Sequence, residues 1–164
     1  MHQINHTDAL DWIPLSPGTA FKPITFFADG SGYQLLLRVE PGTVIPPHHH
    51  TGEIHAFVLS GRRRIAGCAD EIGPGTYVHE PVDNVDTWRA VGDEPCIIHI
   101  EVNGRIEYPD GTGGVSHHTD AHTARHRYLE WCRERSLTPD PVLARPLPGG
   151  RPAEEGEGEE EMAA

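Results

Sequence analysis

The chain has 164 residues and a formal net charge of −12, with 25 Asp and Glu against 13 Lys and Arg, a balance that argues against a nucleic-acid or anionic-membrane surface. The length suits one domain with a real core and is too short for two ordinary ones. With 18 Gly, 15 Pro and only short apolar runs, the chain reads as strand and turn, and no stretch approaches the roughly 18 apolar residues of a membrane span.

Three cysteines, Cys68, Cys96 and Cys132, are odd in number and far apart, which fits neither a disulfide framework nor a paired-cysteine metal knuckle. The opening MHQINHTDALDW has neither the basic nor the apolar stretch of a secretory leader, so the expected location is the cytoplasm.

In chain order, residues 1–20 read as an irregular lead-in anchored by Trp12, Ile13 and Leu15. Residues 21–138 read as a barrel followed by a helix. Short β-type runs (ITFFA, YQLLLRVE, EIHAFVLS, RRRIAG, TYVHE, DTWRAV and PCIIHIEV) alternate with turn sequences such as DGSG, EPGT, GPG and GDEP. Many short strands at regular spacing indicate an all-β sandwich or barrel. The period changes only near the end, where Ala121, Ala124, Tyr128 and Trp131 recur at helical spacing behind Thr119 or Asp120 as N-cap. Residues 139–164 read as a tail, first Pro-rich and then, from Arg151, Glu-rich and disordered.

The chemistry concentrates in PPHHHTGEIHAFVLSG, residues 46–61. Alternate residues of a strand share a face, so His48 and His50 point together and His49 points away. Two imidazoles so placed can chelate one metal ion. Glu53 and His55 would fall on the face opposite Ile54, Ala56 and Val58, and read as polar residues near the barrel mouth, or as extra ligands where the strand kinks. His99, inside CIIHIEV, reads as a hydrogen-bonded core histidine. His79, His117, His118, His122 and His126 read as surface residues, and Arg62-Arg63-Arg64 as a solvated or interface strand from which one arginine could reach an anionic substrate.

These residues resemble the cupin family, a single jelly-roll β-barrel. Gly42, five residues, His48-His49-His50 and Gly61 match its first motif, with Ile54 where the family carries a glutamate ligand. Pro81-Val82-Asp83-Asn84-Val85-Asp86 matches its second motif, with Asp86 in place of the last histidine ligand. HHHTGEIHAFVLSGRRR and GTYVHEPVDNVDT look most like the group of 2,4'-dihydroxyacetophenone and acetylacetone-cleaving dioxygenases, which bind Fe(II) through three histidines. The resemblance implies a metal set of His48, His50 and Asp86, two imidazoles and a carboxylate, the facial triad of non-haem Fe(II) oxygenases. Glu80, in the matching Glu-Pro pair, becomes a base orienting a ligand or metal-bound water; the other reading is a solvent-facing turn residue.

The implied function is an Fe(II)-dependent dioxygenase that takes a small α-hydroxyketone or β-diketone and dioxygen and breaks a carbon–carbon bond, working as a homodimer without nucleic-acid or membrane partners. A non-catalytic metal- or small-molecule-binding cupin acting as a sensor is the alternative. So is a hydrolase, because the same donor set takes Zn(II).

Overall fold

A computed structural model describes residues 2–149, and among these the architecture is two antiparallel sheets with one C-terminal helix. Strands β1 (Ile13–Ser16), β2 (Thr19–Phe26), β3 (Gly32–Val39), β5 (Ile54–Ser60), β7 (Tyr77–Glu80) and β9 (Cys96–Asn103) form one sheet, in the order β1-β2-β3-β9-β5-β7. Strands β4 (Val44–His50), β6 (Arg62–Ile65), β8 (Val85–Val91), β10 (Ile106–Pro109) and β11 (Val115–Thr119) form the other, in the order β11-β10-β4-β8-β6. The all-β barrel expected from the sequence is the observed class.

Alternation places Ile54, Ala56 and Val58 of β5 and Cys96, Ile98 and Val102 of β9 in the interior; Ala56, Val58, Cys96 and Ile98 pack with Trp88 and Ala90 of β8, and Ile54 and Val102 with Phe21, Tyr33 and the helix residue Tyr128. His99 follows the same period outwards. It is half-buried on the outer face, level with Leu36 and Phe57, and is not the core histidine that its apolar neighbours suggested. Gly61, which closes the first motif, has φ 66°, and a Cβ there would collide with the Pro95 carbonyl.

The lead-in is not irregular throughout. Residues 13–16 and 19–20 enter strands because Ile13 is buried and Gly18, at φ 78°, permits a tight reversal into β2. The β10–β11 hairpin is also additional to the expected runs. Helix α1 (Ala121–Glu134) begins as foreseen: Asp120 accepts from the Thr123 amide at 2.8 Å while the Thr123 hydroxyl accepts from the Asp120 amide, a reciprocal cap. It buries Ala121, Ala124, Tyr128 and Cys132, and Trp131 lies only partly covered at the edge of that stripe. Beyond it, residues 139–149 form turns, yet Leu143 is buried in the core and the Asp140 amide donates to the Tyr128 hydroxyl at 2.8 Å. The Glu-rich segment from Arg151 lies outside the described residues.

Candidate metal centre

Strand β4 owes its site to two prolines. Pro46 and Pro47 have no N–H for the ladder, and the β4–β8 register slips between Ile45 and His48. Beyond the slip, alternation resumes with His48 and His50 buried and His49 half-exposed, hydrogen-bonded to Glu107 and Asp83 at 3.2 Å each. His48 stands directly opposite Asp86 of β8. The turn 81–84 then clips His50 in place: the His50 amide donates to the Asn84 carbonyl, and the His50 carbonyl accepts from the Asp83 amide, both at 2.9 Å. Asp83 makes that turn at φ 65°, which Asp tolerates better than bulkier residues.

His48 and His50 line a cavity of about 350 Å³ between the sheets. Its walls are largely apolar, with Leu37, Ile45, Ile54, Trp88, Ile100 and Ile106 contributing, and Arg63, Glu80, Tyr108 and His117 add polar groups. The His48 Nδ1 lies 2.8 Å from the Pro46 carbonyl, which can only accept, so Nδ1 carries the proton and Nε2 keeps its lone pair. Burial holds this imidazole below its ordinary pKa, which favours the neutral, ligating form.

The His50 Nδ1 is 3.0 Å from Glu80 Oε2; the ring N–H points off the line to the oxygen, so the contact falls short of a full hydrogen bond. Burial pushes the Glu80 carboxyl up, but His50, Arg63 and His48 outweigh it and hold the group below its ordinary value. Asp86 goes the other way, raised by burial and by the Glu80 charge, and its Oδ2 has no hydrogen-bond partner.

Arg63 sets the charge of this interior. It is 1% exposed, lies 5.0 Å from the centre of the Trp88 ring, and keeps Nε and one Nη without partners. With neutral imidazoles, the Glu80 and Asp86 carboxylates exceed the Arg63 guanidinium by one negative charge. The donor chemistry therefore fits a divalent cation: two imidazoles, one with its Nδ1 proton engaged and the other oriented by a carboxylate, an orphaned carboxylate oxygen, and a local excess of negative charge.

Sequence reasoning placed these residues unevenly. His48, His50, Asp86 and Glu80 share one buried interior, and Glu80 is not a solvent-facing turn residue. Asp86 sits beside the cavity without lining it. Among the described residues, the group whose three ligand atoms all lie within 4.8 Å of one another is a different one, Glu53, His55 and His79 on the outer wall. His48, His50 and Asp86 stand wider apart than that.

Arg63, Tyr108 and His117 were not foreseen as cavity residues. For Arg63 a signal existed: as the middle of three strand residues it must face opposite Arg62 and Arg64, both exposed. Tyr108 and His117 stack across the β10–β11 hairpin at 4.4 Å, a pairing that the sequence gave no reason to expect.

Residues 1–104 match the family model described as the ChrR cupin-like domain, and the chain belongs to that family. Several solved structures share the fold. An RmlC-like cupin protein from Ralstonia eutropha aligns with a TM-score of 0.74 at 22% identity, over 80% of this chain and 87% of that one. An acetylacetone dioxygenase from Acinetobacter johnsonii gives 0.67 at 13% identity, over 79% and 95%. The Rhodobacter sphaeroides SigE complex with the anti-sigma ChrR gives 0.52 at 22% identity, over 60% of this chain and 51% of that one. At these identities the likeness carries the fold. No curated protein gives a significant match. No helix among the described residues is long and apolar enough to cross a membrane.

Proposed function

We propose that this cupin is an Fe(II)-dependent dioxygenase that cleaves a carbon–carbon bond in a small β-diketone or α-hydroxyketone, with His48, His50 and Asp86 as the metal set. The observation that carries the reading is the pair of buried imidazoles, the Nδ1 of His48 engaged by Pro46 and that of His50 facing Glu80, beside the orphaned Asp86 oxygen at a largely apolar cavity. Fe(II) held there would supply open positions for a chelating ketone and for dioxygen.

The chain's own residues do the rest. The apolar walls exclude water and suit a small ketone with few polar atoms. Arg63 lines the same cavity with unpartnered N–H donors and would hold the negative oxygen of an enolised substrate. Glu80, kept ionised by its neighbours, positions His50 and does not serve as a proton donor. One of the structures sharing the fold is that of an acetylacetone dioxygenase, which agrees with this reading.

The family match favours a second reading, in which occupancy of the cavity is sensed and passed to a protein partner. Dioxygen uptake separates the two. Protein purified anaerobically and loaded with Fe(II) is expected to consume dioxygen with at least one member of a panel of β-diketones and α-hydroxyketones, releasing two carbonyl or carboxylate fragments. Binding of panel members without any dioxygen consumption would overturn the enzymatic reading in favour of the sensor.

A further inference from the structure

Strands β5 and β7 pair antiparallel with His55 directly opposite His79, and both side chains stand on the outer face, away from the barrel cavity. Their rings lie 5.1 Å apart and 25° from parallel. Glu53 precedes β5, its carbonyl held by the Asn103 amide at 3.1 Å and the Asn103 side chain at 3.2 Å. Each oxygen of its carboxylate faces one imidazole: His55 Nε2 is 3.7 Å from Oε2, and His79 Nε2 is 3.7 Å from Oε1.

We propose that Glu53, His55 and His79 form a second divalent-metal site, of the kind Zn(II) takes, on the outer β5–β7 edge. The distances suit an intervening ion better than direct contact. At 3.7 Å the pairs are too long for hydrogen bonds. Metal–ligand bonds of about 2.0–2.1 Å at a tetrahedral ion put ligand atoms about 3.3 Å apart, so small side-chain rotations close the set.

His55 has the supporting contact that ligating histidines commonly show, its Nδ1 lying 2.7 Å from the Tyr77 hydroxyl. With the metal on Nε2, Nδ1 carries the proton and donates it to the Tyr77 oxygen. Two imidazoles and one carboxylate select a borderline transition metal over Mg(II) or Ca(II), which prefer all-oxygen sets. All three side chains are partly exposed, so water fills the remaining position and the ion exchanges with solvent. This site stands independently of the interior one.

The test is a titration of Zn(II) alone into the metal-stripped full chain, read by calorimetry and by elemental analysis after desalting. In a His48→Ala/His50→Ala background the inner set cannot contribute, and one Zn(II) per chain is expected to remain. Adding His55→Ala and His79→Ala should weaken that binding by at least about tenfold, and Tyr77→Phe by up to about tenfold. In the wild-type background, His79→Ala should lower the zinc stoichiometry by one, which keeps the proposal testable if the inner double variant fails to fold. The site is refuted if the outer substitutions leave zinc affinity and stoichiometry unchanged, because scattered surface histidines then account for the metal.

Discussion

His50 and His55 are five residues apart, yet one is buried inside the barrel and the other stands on its outer wall. Both belong to a His–His–carboxylate group, so the difference lies in surroundings and not in residue type. Inside, His48, His50, Asp86, Glu80 and Arg63 are buried together, where an unanswered charge is costly. Outside, Glu53, His55 and His79 are in water, which screens them and supplies missing partners. The outer three already lie close together, whereas the inner three are more widely spaced and depend on burial and supporting contacts. The comparison teaches that closeness of donor atoms and suitability for chemistry are separate properties: the inner group has the cavity, the outer group has the spacing.

The largest expected effect is on stability and breaks the comparison at its charges. Arg63→Met should destabilise the fold by about 1–3 kcal/mol, because two buried carboxylates lose the nearby cation that offsets them. His79→Ala, on the solvated side, should stay within about 0.5 kcal/mol. Urea unfolding of both variants measures the contrast, and equal losses would mean that Arg63 is not the charge balance of the interior.

A smaller effect concerns ligand orientation. Glu80→Gln keeps the shape but removes the charge facing His50 Nδ1, and should weaken Fe(II) binding by about 10–100-fold while leaving zinc at the outer site unaffected. Competition with a chromophoric chelator reads both affinities.

The smallest effect probes the boundary between inside and outside without metal. Burial pushes the Cys96 thiol up to about 11, whereas Cys68 is exposed. At pH 8 a thiol reagent should modify Cys68 rapidly and leave Cys96 and Cys132 unmodified until the chain unfolds, as mass spectrometry of the labelled peptides would show.

Much of this was legible from periodicity alone. Alternation separated His48 and His50 from His49, and helical spacing with an acidic cap located α1. Other features depend on contacts between distant segments, which no local pattern records. Strand β11 pairs with β10 across a Gly-rich turn, and His117 reaches the cavity only through that hairpin. The outer group requires the β5–β7 register that sets His55 against His79, twenty-four positions away, so the sequence offered Glu53 and His55 as extra ligands only through a strand kink and left His79 a surface residue. Arg63 was misjudged for a different reason: its charge suggested solvent, while its place in the strand required the interior.

The inner group, with Asp86 as its carboxylate, is proposed to hold the metal that works on substrate. The most direct measurement is dioxygen consumption per chain by Fe(II)-loaded wild type and Asp86→Ala, each with its iron content determined and with the ketone to which the wild type responds. The expected result is bound iron and dioxygen uptake in the wild type, with most of the iron and all of the uptake lost in Asp86→Ala. Full iron content and undiminished uptake in Asp86→Ala would contradict the claim.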